Sequence, residues 1–375
     1  MRILFLINSL GGGGAERVTA GLANHWARAG HEVVVILLGA ADGDAGSAYL
    51  LDQRVTLEAL GLGAQSASAL AGLAANRTRL AAVTRALARH RPDVAIAMMT
   101  STSVLLALAG APRGMARIGA ERTYPPFAET SRLWRTARAL AYGRLDAVVA
   151  QTEQAAAWLR RHTLGRRVEV INNPVLQEGR AGPHVAPDAV VPAGTALLLA
   201  IGRLSPEKQF EALIGRFGAL AASRPDWRLT ILGEGGERER LERARTDSGC
   251  ADRIALVGRV ANIDQWLDRA DLFVMTSAFE GFPNALLEAY CAGVPCVSFD
   301  CLAGPSSIIL DDGADGLLVA PDDFGALGAA LGRLMDDPGL RGELARAALE
   351  RAGRFKLESI AARWETLFAS LGVRS

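Results

Sequence analysis

Short, uninterrupted apolar runs alternate with longer alanine- and arginine-rich stretches of helical period along most of the chain. In the first half the apolar runs are RILFLIN from Arg2, HEVVVILL from His31, RVTLEAL from Arg54, DVAIAMM from Asp93, ARIGAE from Ala116, DAVVAQ from Asp146 and VEVINN from Val168. They read as continuous hydrophobic stretches rather than in–out repeats, so they predict strands buried on both faces. The helical stretches between them, such as Ser68 to His90, predict the cover. Alternating strands and helices of this kind imply a parallel sheet.

The pattern breaks once. Asn172 to Thr195 holds four prolines and no period, which predicts a linker. Alternation then restarts with ALLLAIG from Ala196, RLTILG from Arg228, IALVG from Ile254, LFVMTS from Leu272, PCVSFD from Pro295 and GLLV from Gly316. Asp322 to Leu371 is helical throughout. Two doubly wound α/β domains facing a cleft are the expectation, 1–175 and 195–355, joined by 176–194 and followed by a helical segment at 356–375. Val94 to Pro112 carries no charge over 19 residues and invites comparison with a membrane span. Its centre, Thr100 to Ser103, instead predicts a strand end and a helix opening at an N-cap. The first run likewise reads as a buried strand rather than a leader, because Asn8 and Ser9 interrupt it.

Composition narrows the function classes. A net charge of +1 over 375 residues excludes wholesale nucleic-acid binding and leaves only local basic surface. Four cysteines are present; Cys291, Cys296 and Cys301 are spaced by fives, and Cys296 and Cys301 lie ~16 Å apart along a strand. Neither they nor Cys250 suit zinc, and all four read as small buried residues of a reducing compartment. No His/Asp/Glu cluster argues for a metal.

In open parallel sheets ligands bind beyond the carboxyl ends of the strands, so the loops there carry the candidate chemistry. Gly12, Gly13 and Gly14 follow the first strand, ahead of a helix opening near Ala15, where bare backbone suits an anion or simply a flexible turn. The loop is not G-x-G-x-x-G, since Glu16 holds the third position, and no G-x-x-x-x-G-K-[ST] exists. Gly202 ends a later strand, and Arg203 and Lys208 flank Ser205, an N-cap candidate, and Pro206, a first-turn residue. Two cations there suit a diphosphate. Lys208 and Lys356 are the only lysines. In SAFEGFPNALLEAY, Pro283 fits the first helical position, so the helix is expected to begin near Phe282, with Glu280 ahead of it and Glu288 about two turns in. The Gly281 and Phe282 amides suit phosphate oxygens, while the carboxylates suit vicinal hydroxyls.

Together these stretches resemble the retaining, GT-B-fold glycosyltransferases of family 4 (glycosyl transferases group 1). The likeness covers nearly the whole chain and is strongest over Ile201–Val319, through GRLSPEKQ, LGEGGERERLE, VGRV and FEGFPNALLEAYCAGVPCVSFDCLAGPSSIILDDGADGLLV. It implies an E-x7-E pair at Glu280 and Glu288, a diphosphate pair at Arg203 and Lys208, and a glycine loop at Gly12–Gly14 that closes over the diphosphate. Glu280, Arg203 and Lys208 would be catalytic. Glu288 would hold the ribose; Gly233, Glu234, Arg259 and Val260 would bracket the base, and Gly281, Phe282, Pro283 and Asn284 would line the donor. The resemblance also implies metal independence, a nucleotide-sugar donor, most simply UDP-linked, and a C-terminal helix returning to the first domain. A nucleotide-sugar epimerase of similar fold and a non-catalytic nucleotide-sugar binder are the alternatives.

The acceptor side is drawn more faintly. RIGAERTYPP, from Arg117, resembles members acting on lipid-linked or polysaccharide acceptors, and EGFPNALLEA resembles the N-acetylhexosaminyl-transferring branch. Residues 112–144 carry seven arginines against Glu121 and Glu129. A stripe of Leu133, Ala137 and Leu140 beside Trp134 fits either a solvated helix face or peripheral contact with an anionic membrane at the cytoplasmic face. Of the histidines, His25 reads as packing on the first helix, and no general base stands out.

Overall fold

The computed structural model describes residues 1–11, 13–39, 49–63, 69–127, 131–176, 182–302 and 304–373. The chain forms two compact units, Met1–Leu176 with Lys356–Ser375, and Gln177–Phe355.

The first unit holds β1 (Arg2–Ile7), α1 (Gly14–Arg28), β2 (Glu32–Leu37), β3 (Val55–Ala59), α2 (Ala69–His90), β4 (Val94–Met98), α3 (Thr100–Leu108), β5 (Ala116–Ala120), α4 (Arg132–Ala141), β6 (Ala147–Ala150), α5 (Glu153–His162) and β7 (Val168–Val170). Its sheet is parallel and ordered β3-β2-β1-β4-β5-β6-β7. β1 is buried along five of its six residues because both faces are covered, which is why its sequence does not alternate. Trp26 of α1 stacks on Phe5 with ring centroids 5.8 Å apart. The charge-free stretch from Val94 divides into β4 and α3, as its polar centre predicts. The cap differs from the expectation: Met99, at φ 82, is the single residue between strand and helix, and it holds the N-cap position with no side-chain cap bond.

The second unit holds β8 (Ala196–Ile201), α6 (Phe210–Ala221), β9 (Trp227–Leu232), α7 (Arg238–Asp247), β10 (Ile254–Gly258), α8 (Ile263–Arg269), β11 (Leu272–Met275), α9 (Asn284–Cys291), β12 (Cys296–Phe299), β13 (Leu317–Val319), α10 (Phe324–Asp336) and α11 (Pro338–Ala352). Its parallel sheet runs β10-β9-β8-β11-β12-β13. Renumbered from its own first strand, that is 3-2-1-4-5-6, the doubly wound dinucleotide-fold order. Strand order reverses between β8 and β11 here, and between β1 and β4 in the first unit.

The last helix, α12 (Leu357–Ser370), belongs to the first unit. Its Ile360, Trp364, Leu367 and Phe368 are buried in the core with Phe5, Trp26 and Ile96. Trp26 lies 5.4 Å from Phe368, and its indole N–H donates to Glu365 at 2.9 Å.

Candidate functional site

The candidate residues of the second unit emerge at its switch point. β8 ends at Ile201, and the chain passes through Gly202 and Arg203 into a single 3₁₀ turn, Pro206–Lys208. α6 starts only after Gln209, which adopts the left-handed conformation at φ 54. Ser205 therefore precedes a turn rather than capping the helix, and its hydroxyl donates to Glu207 at 2.6 Å. From β11, on the other side of the reversal, Thr276 donates to the Lys208 carbonyl at 2.7 Å, and the Ala278 amide donates to the Glu207 carbonyl at 2.8 Å. The two loops are thus sewn together.

Their side chains meet in turn. The Lys208 ammonium donates to Glu280 Oε1 at 2.5 Å, and the Ser277 hydroxyl donates to the same oxygen at 2.7 Å. Lys208 and Glu280 side chains are 17% and 14% exposed, so the pair is largely desolvated yet reachable. Arg203 is exposed and makes no ion pair among the described residues. Thr276 and Ser277 were not singled out in the sequence, although two hydroxyl residues ending a buried strand at a switch point are a signal for such a role.

The loops after β9 and β10 close against the first. The Leu204 amide donates to the Glu234 carbonyl at 3.0 Å, and the Gly233 amide donates to the Gly258 carbonyl at 2.8 Å. Gly233 sits at φ 150, where a Cβ would stand 1.8 Å from the Gly202 carbonyl oxygen; only glycine permits that approach. Glu234 pairs with Arg238 at 3.2 Å. Arg259 is exposed and Val260 buried, so of that pair only Arg259 presents its side chain to solvent.

α9 begins at Asn284, with Pro283 at the N-cap, one position earlier in the cap than the sequence suggests. Gly281 is half-buried and Phe282 buried, so Phe282 anchors the loop while the backbone around it lies ahead of the helix. Glu288 is 6% exposed, deep for a carboxylate on a helix that is otherwise Leu286, Leu287 and Ala289. The helix is held from behind, where the Tyr290 hydroxyl donates to buried Asp315 at 2.9 Å and Arg351 of α11 donates to the same carboxylate at 2.6 Å. Cys301 is buried nearby; burial first, and Glu280 second, push its thiol up to about 12. Burial likewise raises Cys291 to about 12, so neither is a thiolate at neutral pH.

In the first unit the glycine loop is already engaged. Gly12 lies outside the described residues. The Gly13 amide donates to Glu16 at 2.5 Å, and the Ser9 hydroxyl donates to the other Glu16 oxygen at 2.5 Å. α1 thus opens at Gly14 with its own carboxylate over its amino end, and an anion there would displace Glu16. The basic segment also differs from its sequence reading. Arg138 is 1% exposed, packed 4.7 Å from the Trp158 ring and 3.9 Å from Glu121. Glu121 is buried too, accepting from Thr100 at 2.9 Å and from the Tyr142 hydroxyl, and burial raises its pKa. Leu133 and Leu140 do face outward, at 62% and 61% exposed, while Trp134 and Ala137 turn toward the core.

Among the described residues no group of three or more His, Cys, Asp or Glu side chains is arranged to hold a metal. No helix among them is long and apolar enough to cross a membrane.

Two family models match in chain order and together span most of the sequence. Residues 12–176 match Glycosyltransferase Family 4, and residues 195–337 match Glycosyl transferases group 1. The chain belongs to the family 4 glycosyltransferases. Within that family it is similar along 99% of both chains, at 26% identity, to the Campylobacter jejuni GalNAc-α-(1→4)-GalNAc-α-(1→3)-diNAcBac-PP-undecaprenol α-1,4-N-acetyl-D-galactosaminyltransferase. It is 35% identical over 60% of its length to the Streptomyces coelicolor exopolysaccharide phosphotransferase, but spans only 24% of that relative. The solved structure of Anabaena HepE in complex with UDP superposes with a TM-score of 0.77 at 20% identity, over 99% of this chain and all of that one. The fold of this family 4 glycosyltransferase is accordingly GT-B.

Proposed function

We propose that this glycosyltransferase moves a sugar, an N-acetylhexosamine by the likeness of its EGFPNALLEA segment, from a UDP-linked donor to a lipid-linked or polysaccharide acceptor with retention of configuration. The observation that carries the reading is the Lys208–Glu280 pair, joined at 2.5 Å at the switch point of the second unit. The Campylobacter relative, named for an undecaprenol-linked acceptor, and the UDP held by the Anabaena neighbour support the choice of substrates.

In this reading the bond between the sugar's anomeric carbon and the diphosphate oxygen breaks, and its electron pair stays on the diphosphate. Lys208 and Arg203 neutralise that developing charge, and electrostatic stabilisation of this kind usually contributes most of the rate enhancement. Glu280, held by Ser277, takes the donor sugar's hydroxyls, and Glu288 takes the ribose diol. Gly281 to Asn284 present backbone to the phosphates at the start of α9. Gly233, Glu234, Arg259 and Val260 border the base. The acceptor hydroxyl attacks on the face the diphosphate leaves, and its proton passes to the departing phosphate oxygen; the family resemblance implies that no metal or further cofactor takes part. A lipid-linked acceptor places the work at the cytoplasmic face of a membrane. Exposed Leu133 and Leu140 beside exposed Arg132 and Arg135 suit peripheral contact with anionic lipid, at about 1 kcal/mol per arginine.

The test is calorimetric titration of the full chain with UDP-, GDP- and ADP-sugars, followed by transfer to a polyprenyl-diphosphate glycan and NMR of the product's anomeric configuration. One donor should bind selectively, Lys208→Ala and Glu288→Ala should abolish binding, and the product should keep the donor's configuration. Donor turnover without acceptor would favour the epimerase, and no binding at all would sink the reading.

A further inference from the structure

Arg122 is 6% exposed, yet no carboxylate faces its guanidinium among the described residues. Buried charges are ordinarily paired, and the neighbouring residue shows the contrast: Glu121 has Thr100, Tyr142 and Arg138 around it. Arg122 Nη1 donates to Asn173 Oδ1 at 3.1 Å, Nη2 stands 4.0 Å from Met98 Sδ, and Nε has no partner. The Trp364 ring of α12 lies 5.8 Å away. Burial alone, with no acid opposing it, pulls the group down to about 10.

Three further observations fall at the same place. Gln151, just beyond β6, donates to the same Asn173 oxygen at 2.8 Å and leaves its own buried carbonyl oxygen without a partner. Met98 ends β4, and Met99 after it holds a positive φ of 82 that side chains rarely adopt. α3 opens there with no side-chain cap on its amides. The cluster thus lies at the carboxyl ends of β4, β5 and β6, next to the strand reversal of the first unit. A lone buried cation, an uncapped helix end and an unsatisfied acceptor call for a ligand that brings negative charge together with a hydroxyl.

We propose that Arg122, Gln151 and the amino end of α3 form a phosphate-binding pocket that takes a phosphate group of the acceptor. Arg122 supplies the charge, and Gln151 accepts from a hydroxyl beside that phosphate. Arg203 and Lys208 already answer the donor's diphosphate, so the pocket's ligand is a second anion. Its assignment to the acceptor rests on the transfer reaction proposed above; the pocket itself rests on a buried guanidinium that no carboxylate faces among the described residues and on the orphaned Gln151 oxygen.

The experiment uses the full chain with UDP at saturation, so that the nucleotide site is occupied. Inorganic diphosphate and, separately, farnesyl diphosphate are titrated while tryptophan fluorescence, to which Trp364 contributes, and heat are followed. Both anions should bind; tighter farnesyl diphosphate would mark the lipid as part of the ligand, and equal affinity would mark phosphate alone. Arg122→Met should weaken binding about tenfold or more with the UDP affinity unchanged. Arg122→Lys should restore most of it, and Gln151→Leu should weaken only ligands that carry a hydroxyl, such as a sugar phosphate. If Arg122→Met fails to fold, Arg122→Gln takes its place, and Gln151→Leu is read against the sugar phosphate. Unaltered diphosphate affinity in a folded variant that removes the Arg122 charge, unaltered sugar-phosphate affinity in Gln151→Leu, or no binding by the wild type, overturns the pocket. Arg122-dependent binding in a protein that transfers no sugar would instead leave the pocket standing and remove the transfer reading.

Discussion

A carboxylate and an ammonium that hold each other also hold each other back. In the proposed reaction Lys208 is the cation offered to a departing diphosphate, and Glu280 holds it at 2.5 Å. Phosphate must share or displace that contact, so the pair sets a cost on binding UDP alone. Glu280→Gln is therefore expected to tighten UDP about threefold to tenfold, roughly 0.7–1.4 kcal/mol, while sugar transfer collapses. Equal or weaker UDP binding by calorimetry would show that the pair is not a brake. Glu121 gives a second residue-scale prediction. Burial raises its folded pKa above the ordinary value of 4.5, so its contribution to stability is complete below 4.5 and is lost as pH rises through the folded value. Urea denaturation across pH 4.5 to 8 should show the wild type losing stability relative to Glu121→Gln as pH rises. Parallel profiles would contradict the raised pKa.

At the scale of elements, the site depends on loops docking on loops. Gly233 brings the turn after β9 onto Gly202 so closely that a methyl group has no room. Gly233→Ala should cost about 2–4 kcal/mol of stability and weaken donor binding through the displaced Arg203 loop. A variant with native melting temperature and native donor affinity would refute that coupling. The elements themselves were readable from unbroken apolar runs and proline punctuation, and the strands appear where those runs lie, most of them trimmed by a residue or two, β10 unchanged and β9 begun one residue earlier. What composition could not settle was orientation. On α4, Leu133–Ala137–Leu140 and Trp134–Arg138–Ala141 both fit a 3.6-residue period. The arginine argued for solvent, but Trp158 and Glu121, both distant in sequence, drew it inward. The same limit applied to Glu16: its spacing marks it as a non-glycine in the loop, but only the fold shows it folded back over the Gly13 amide. Glu280 and Lys208, 72 residues apart, were legible as a pair only through the family pattern, because no local rule links them.

At the scale of the molecule, α12 completes a unit begun more than three hundred residues earlier. Ile360, Trp364, Leu367 and Phe368 are buried in the first unit's core, and each large apolar side chain contributes roughly 1.5–3 kcal/mol on burial. Their sum rivals the whole stability of a typical domain, about 5–15 kcal/mol. A chain ending at Phe355 is expected to lose the cooperative unfolding transition of the first unit, and to bind the dye ANS, while still binding UDP through the second. Retention of both transitions in a calorimetric scan would mean that α12 is an accessory.

The same helix gives the chain an unusual order of birth. Everything else in the first unit leaves the ribosome by Leu176, but the face meant for Trp364 and Phe368 stays bare while Gln177–Phe355 is made. At about 5–20 residues per second, that is a delay of roughly ten to forty seconds. The second unit, contiguous in sequence, can finish before the first. During that interval Trp26 and its neighbours are a target for holding chaperones, and a stalled or truncated product would be marked by the surface it leaves uncovered.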